Sequence, residues 1–287
     1  MLPSEMVLST RLHVGDTSIT AAKQRFTDTQ YLRFLDEAMD EIAAEIVFVE
    51  PTRLETSATL SLVSGTELYN LPGRCHQIRS VVRTDGTTEY PLDPLERAQD
   101  RTDYLSSGTN AREKYYFSGN QIGIVPIPSE SGNVTVKFIR FPTPMMYGTI
   151  FSATGVTIMF PAVPTAGTLS NIVGVYVGAK LQLTSGTGQG TIAEGVSYVQ
   201  ATRVLTTNGL SGVSWQGYTY ELLCGLDEAF HRSMILFAAA YAYRGEESMG
   251  NHNSFLASAI DALNKALRIS RRQVQELGRM RYVRRNS

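Results

Sequence analysis

The chain has 287 residues, 43% of them hydrophobic and 18% charged, with a formal net charge of −1. That length fits one large domain or two ordinary ones around a packed core, so a folded globular chain is expected. Cys75 and Cys224 stand far apart and match no metal or redox spacing, which excludes a disulfide scaffold and a zinc site and leaves buried free thiols as the default.

Residues 1–10 lack the basic patch and continuous apolar stretch of a signal peptide. The longest apolar run, Met234 to Tyr243, is too short to cross a bilayer. Both observations predict a soluble protein, made and assembled in a cytoplasm, with no membrane partner.

A short helix is expected from Ile19 to Phe26, followed by a long one from Asp28 to Glu50. In the long helix Leu32, Leu35, Met39, Ile42, Ile46 and Val49 recur at steps of three and four, placing them on one face. Thr27 to Gln30 form a capping-box candidate, and Pro51 stops the helix by withholding the next backbone donor. This segment holds seven acids against one base, Arg33. Its acids, Asp36, Glu37, Asp40, Glu41 and Glu45 among them, are expected on the outward face, as a solvated or interface surface rather than an acid–base pair.

Short strands follow, at Leu60–Val63, Leu68–Leu71, Gln77–Thr84, Lys114–Phe117, Gln121–Val125 and Val134–Phe141, punctuated as an antiparallel meander requires. Ser118 to Asn120 reads as a hairpin turn, and a short helix from Leu95 to about Asp103 interrupts the strands. From Tyr147 to Gln216 the only charges are Lys180, Glu194 and Arg203, while Gly, Ser, Thr and Val dominate. This predicts a second, inserted all-β unit, because a solvated linker of that length is normally more polar and charged.

Helical periodicity returns from about Tyr220 to Tyr243, with Gly245, Gly250 and Asn251 marking a break. A third helical pattern, Ser254 to about Leu277, repeats apolar residues as bundle packing demands. From Lys265 to Arg285 there are eight Lys or Arg and one acid, Glu276. The apolar positions end near Leu277 while the bases continue, so residues 278–287 are expected to leave the bundle as a basic arm. The chain is therefore acidic at one end and basic at the other, which makes contact between copies, or with an oppositely charged partner, physically reasonable.

No catalytic, cofactor or metal constellation emerges. His13, His76, His231 and His252 do not cluster with acids or cysteines at ligand spacing, and Cys75 and His76, as neighbours on a strand, point to opposite faces. The stretch Thr184 to Gly190 lacks the lysine ending and the following helix of a phosphate loop, so a turn with a tight glycine corner is expected. The basic end fits protein docking and a solvated helix face equally, and DNA contact less well.

One string in the strand region carries a resemblance. It reads Glu67-Leu68-Tyr69-Asn70-Leu71-Pro72, then Ile78, Val81 and Val82, Tyr90-Pro91-Leu92, Lys114-Tyr115-Tyr116, Ile124-Val125-Pro126-Ile127-Pro128 and Val134 to Pro142. The order of these features after an acidic helix, and before a closing helical pair, resembles the head-to-tail adaptor (connector) proteins of tailed bacteriophages. The likeness covers most of Thr20 to Pro144 and Tyr220 to Leu277. It implies a non-enzymatic structural protein of the virion neck, assembled in the bacterial host cytoplasm. Its copies would form a ring, commonly of twelve, beneath the portal protein. A distal tail component (nozzle, hub or stopper) would bind below, and DNA would pass without sequence recognition.

By the same resemblance, Arg271, Arg272, Arg279, Arg281, Tyr282, Arg284 and Arg285 would dock on the portal. Asp36, Glu37, Asp40, Glu41 and Glu45 would face a neighbouring subunit or the channel. The alternative is a nucleic-acid-binding protein using its basic C-terminal helix; an enzyme in the β-rich middle ranks third.

The fold class expected is α+β: a helical bundle of the long N-terminal helix and two C-terminal helices, an antiparallel β-meander and an inserted all-β subdomain. The expected boundaries are 1–146, 147–216, 217–277 and 278–287.

Overall fold

Thr27 begins helix α2 (Asp28–Val49) through a reciprocal cap. The Gln30 amide donates to the Thr27 hydroxyl at 3.3 Å, and the Thr27 amide donates back to Gln30 Oε1 at 2.8 Å. The apolar face read from the sequence is buried through Ile46, with Tyr31, Leu32, Leu35, Met39 and Ile42 fully enclosed. The computed structural model describes residues 1–18, 24–71, 73–85, 87–95, 113–119, 121–170, 174–208, 215–245 and 248–285, with residues 85, 245 and 270–285 described by backbone alone. The chain is α+β, and it divides into two compact units.

The first unit comprises Met1–Ile46, Pro142–Asn171 and Gly178–Ser287. It opens with helix α1 (Pro3–Val14), which sequence periodicity did not reveal. Leu8 and Leu12 are exposed while Met6, Val7, Thr10 and Val14 are buried, so apolar residues on both faces blur the amphipathic signal. Pro3 pre-sets the first turn, and Gly15, at φ +75°, ends the helix in the left-handed conformation. The short helix expected at Ile19–Phe26 falls mostly outside the described residues, and residues 24–27 are not helical.

Arg11 ties α1 to its surroundings. Its guanidinium, 8% exposed, pairs with the Asp28 carboxylate, donates to Gln24 Oε1 at 3.0 Å and lies over the Tyr31 ring at 5.2 Å. Asp28 also accepts the Tyr147 hydroxyl, at 2.5 Å. Beside it, Asp16 accepts the Tyr31 hydroxyl at 3.0 Å and the Arg25 amide at 3.2 Å.

Tyr147 belongs to β8 (Met146–Thr149), the edge of a seven-stranded sheet in the same unit, the second sheet in chain order. Its other strands are β9 (Ser152–Thr154), β10 (Thr157–Met159), β11 (Lys180–Leu183), β12 (Ile192–Val199), β13 (Val204–Asn208) and β14 (Thr219–Leu222), in the order β8-β14-β11-β12-β13-β10-β9. Strand β14 takes the first residues of the segment expected to be helical from Tyr220. Tyr220 and Leu222 face the core at strand spacing, and the four-residue step from Leu222 to Leu226 also fits a helix, so periodicity alone did not separate the two. Phe160 and Tyr220 meet in this core with ring centroids 5.1 Å apart.

The glycine-rich stretch turns between β11 and β12, closed by the Gly190 amide on the Leu183 carbonyl at 2.8 Å. A Cβ on Gly188 would lie 1.9 Å from the Trp215 ring, and one on Gly186 2.5 Å from Tyr218. Glycine is required there by aromatic packing rather than by a phosphate.

Helix α3 (His231–Gly245) is nearly all buried, and α4 (Met249–Arg285) packs along it through Ala259, Leu263, Ala266 and Leu267. Gly250 and Asn251 lie inside the first turn of α4; the break comes just before it. Helix α4 also runs through Gly278 to Arg285, where a departing arm was expected. A single glycine costs a helix about 1 kcal/mol, which the flanking Gln, Glu, Leu, Arg and Met residues tolerate.

The second unit, Val47–Phe141 with Ile172–Val177, holds the other sheet. Its strands are β1 (Glu55–Leu62), β2 (Leu68–Asn70), β3 (Cys75–Asp85), β4 (Thr88–Pro94), β5 (Lys114–Ser118), β6 (Gln121–Val125) and β7 (Gly132–Arg140). The order β1-β7-β3-β4-β5-β6-β2 departs from the expected meander. Strand β7 inserts between β1 and β3, β4 and β5 run parallel, and β2 closes the far edge on β6. Strand periodicity fixes which residues face the core but not which strands pair. Tyr69, Val81, Leu92, Ile122, Val136 and Phe138 build that core. Pro91 sits within β4, on a stretch that β5 does not reach, rather than at a strand end. The helix expected at Leu95–Asp103 lies almost wholly outside the described residues.

Two outcomes test this packing. Gly188→Ala must displace Trp215, the one tryptophan of the chain, and is expected to red-shift its emission and cost about 1–3 kcal/mol in urea unfolding; an unchanged spectrum contradicts the contact. Asp28→Asn leaves the buried Arg11 uncompensated, and because Asp28 itself is partly open to solvent the expected loss is about 1–3 kcal/mol, partly recovered by adding Arg11→Met. Equal stability of wild type and Asp28→Asn would remove this pairing from the account.

Candidate functional site

The acids of α2 do not all face outward. Asp36 is half-buried and accepts the Met145 backbone amide at 2.9 Å, so it holds a loop of its own chain. Glu37 pairs with Arg33 one turn away at 3.1 Å, both exposed. Glu41 accepts the Tyr241 hydroxyl of α3, Asp40 is half-buried, and Glu45 is exposed. The face thus combines internal ties with outward charge.

Next to it runs a groove of about 760 Å³, lined by Phe34, Glu37, Glu41, Tyr241, Arg244 and His252. Two carboxylates stand on the α2 wall, with an arginine and a histidine on the helices opposite. His252 Nδ1 lies 2.8 Å from the Ala240 carbonyl, which fixes its ring. The Tyr241 phenol is held well above the ordinary tyrosine value, first by burial and then by the Glu41 carboxylate that accepts its hydrogen bond. Sequence periodicity had placed Tyr241 on an apolar stripe; its hydroxyl partner, from a helix 200 residues earlier, left no local signal.

The basic positions Arg271, Arg272, Arg279, Arg281, Tyr282, Arg284 and Arg285 all lie on the helical backbone of α4, and their side chains are outside the described residues. Helix α3 has 15 residues and α4 has 37, so α4 is longer by 22 residues, roughly 33 Å. Leu267 is its last side chain described as buried, and the arginine-rich sequence begins immediately afterwards.

The groups capable of chemistry are engaged structurally. Cys75 and Cys224 are free thiols, half-buried, with ionisation pushed up by burial to about 11 and about 12 respectively. Cys224 Sγ sits 3.6 Å from Met234 Sδ. His76 stacks on Phe141 at 4.6 Å, and His231 Nε2 lies 3.2 Å from the Leu226 carbonyl, its ionisation lowered by burial. Among the described residues no group of three His, Cys, Asp or Glu could hold a metal ion, and no helix is long and apolar enough to cross a membrane.

Alkaline titration tests the groove. Because the folded state keeps the Tyr241 phenol protonated above the ordinary value of about 10, its contribution to stability is present below that pH and is lost as pH climbs beyond it. Ultraviolet difference titration of wild type against Tyr241→Phe should therefore differ only above the ordinary tyrosine range, and Glu41→Gln should move that step down. A difference between the two proteins centred near pH 10 would contradict the Glu41 contact.

The family model described as SU10 adaptor protein matches residues 4–149, which span α1, α2, the first-described strands of both sheets and the Tyr147 contact. No curated protein matches the chain. The matched segment is half of the chain, and the chain belongs to the SU10 adaptor protein family, a family of phage head-to-tail adaptors.

Proposed function

We propose that this member of the SU10 adaptor protein family assembles as a homo-oligomeric ring, of twelve copies, beneath the portal of a tailed phage. The ring joins the DNA-filled capsid to the tail and performs no catalysis. DNA passes through it without sequence recognition, and the distal tail component binds below.

The observation that carries this reading is the asymmetry of α4. Its first half is packed against α3 through Leu267, and the arginines are concentrated on the part of the helix that follows. Arginine makes forked bonds to carboxylates and is favoured at protein interfaces, so Arg271, Arg272, Arg279, Arg281, Arg284 and Arg285, with Tyr282 as an anchor, are the portal-docking set. A channel for sliding DNA is best not lined by strong positive charge. The α2 acids Asp36, Glu37, Asp40, Glu41 and Glu45 are therefore placed at the subunit boundary or the channel wall, with Glu37, Glu41 and Glu45 supplying the exposed charge. The charge-poor second sheet is placed toward neighbouring subunits or the tail, where covering it is favourable.

Co-sedimentation with the portal ring encoded by the same genome tests the proposal, comparing the full chain with one ending at Leu267. Saturating binding by the full chain that is lost on truncation is expected. Absence of portal binding by either form, with salt-sensitive binding to any DNA instead, would favour a nucleic-acid-binding role for the basic helix.

A further inference from the structure

The second sheet is poor in charge: it carries Lys180, Glu194 and the buried Glu221 on its strands and Arg203 in a turn. Lys180 of β11 and Glu194 of β12 are register partners, both exposed. Arg203 stands between β12 and β13, and among the described residues no carboxylate pairs with it. It ends the hairpin turn Gln200–Arg203 between β12 and β13 with φ +58°, a left-handed conformation where glycine or asparagine is favoured and arginine is strained. The conformation is fixed by the backbone: the Arg203 amide donates to the Gln200 carbonyl at 3.2 Å, and its carbonyl accepts the Phe160 amide at 3.0 Å. A turn position that calls for glycine or asparagine yet carries an arginine without a carboxylate partner directs attention to what the side chain contacts outside the turn.

Arg203 also lines a groove of about 410 Å³ with Val163, Thr168, Ser170, Tyr198 and Gln200. The positive charge acts on the buried Tyr198 phenol, whose ionisation burial raises and Arg203 lowers. Hydroxyl and amide groups therefore surround the cation, and Val163, 81% exposed, lines the same groove. We propose that this groove is a socket for a carboxylate side chain, Asp or Glu, on a protein segment that also buries apolar residues against Val163. A nucleic-acid backbone is disfavoured because the sheet's two cations, Lys180 and Arg203, offset by Glu194 and Glu221, cannot follow a row of phosphates. The forked donors of arginine suit a carboxylate, and an arginine beside an exposed aliphatic residue has the composition of a protein interface. The inference rests on the reading of this chain as an assembling adaptor and names the chemistry by which its second sheet takes a partner.

The test uses the full chain, with arginine Nε resonances followed by NMR during titration with N-acetyl-Leu-Glu-Leu-amide, its Gln counterpart and inorganic phosphate. Saturating shifts at Arg203 with the Glu peptide, about tenfold weaker for the Gln peptide, are expected. Arg203→Asn should abolish them and melt no lower than wild type, because asparagine relieves the turn. A lower melting temperature for Arg203→Asn would make Arg203 a residue of the turn alone and overturn the proposal. Equal response to the Glu and Gln peptides, or phosphate binding as tightly as the Glu peptide, would also overturn it. Portal co-sedimentation by Arg203→Asn should match wild type, so failure of the adaptor reading and failure of the socket are separable.

Discussion

One buried cation organises the first unit. Arg11 is 8% exposed, and a guanidinium so enclosed is tolerable only with its donors satisfied. Asp28 supplies the charge, Gln24 and the Phe26 carbonyl accept further bonds, and the Tyr31 face covers the remainder. Those partners come from the first residue of α2, the segment leading into it, and α2 itself. Tyr147 shares Asp28 from strand β8, and Ser4 of α1 donates twice to Glu221 of β14, at 2.9 and 2.7 Å. Helix α1, the start of α2 and the edge of the second sheet are therefore positioned by one set of charge-assisted bonds. The outward acids of α2 are aimed by the same contacts.

Parts of this were legible in the sequence and parts were not. The Thr27–Gln30 cap and the apolar face of α2 obey local rules over a few residues, and the structure reproduces both. Helix α1 was missed because Leu8 and Leu12 face solvent, although Pro3 at its start and Gly15 past its end were usable punctuation. Strand β14 was taken for helix because Leu222 and Leu226, four residues apart, satisfy both periods. The strand order of the first sheet depends on long-range pairing, β1 with β7 above all, which short-range pattern does not encode. The roles of Asp36 and Glu41 escaped notice for the same reason, since their partners Met145 and Tyr241 lie more than 100 residues away. Arg203 did leave a trace: an arginine stands where a four-residue hairpin turn favours glycine or asparagine.

Charge in this chain is arranged for contact. Exposed carboxylates gather on α2, arginines gather on the far half of α4, and the second sheet carries three charges in the seventy residues from Tyr147 to Gln216. Such separation contributes little to the stability of a single copy, because exposed pairs are worth about 1 kcal/mol or less. It does set which surfaces attract each other and which are covered on assembly. The family match ends at residue 149, whereas the arginine-rich helix and most of the second sheet lie beyond it. The matched half thus carries the ionic cluster that fixes the platform, and the surfaces to which partners are assigned are concentrated in the other half.

The central claim is that the basic half of α4 meets protein and not DNA. An electron cryomicroscopy reconstruction of the full chain bound to its portal ring tests this most directly. The account predicts that the last turns of α4, through Arg285, pack against portal subunits while the second sheet faces away from them. Density placing those arginines along the central channel, against the path of the DNA, would contradict it.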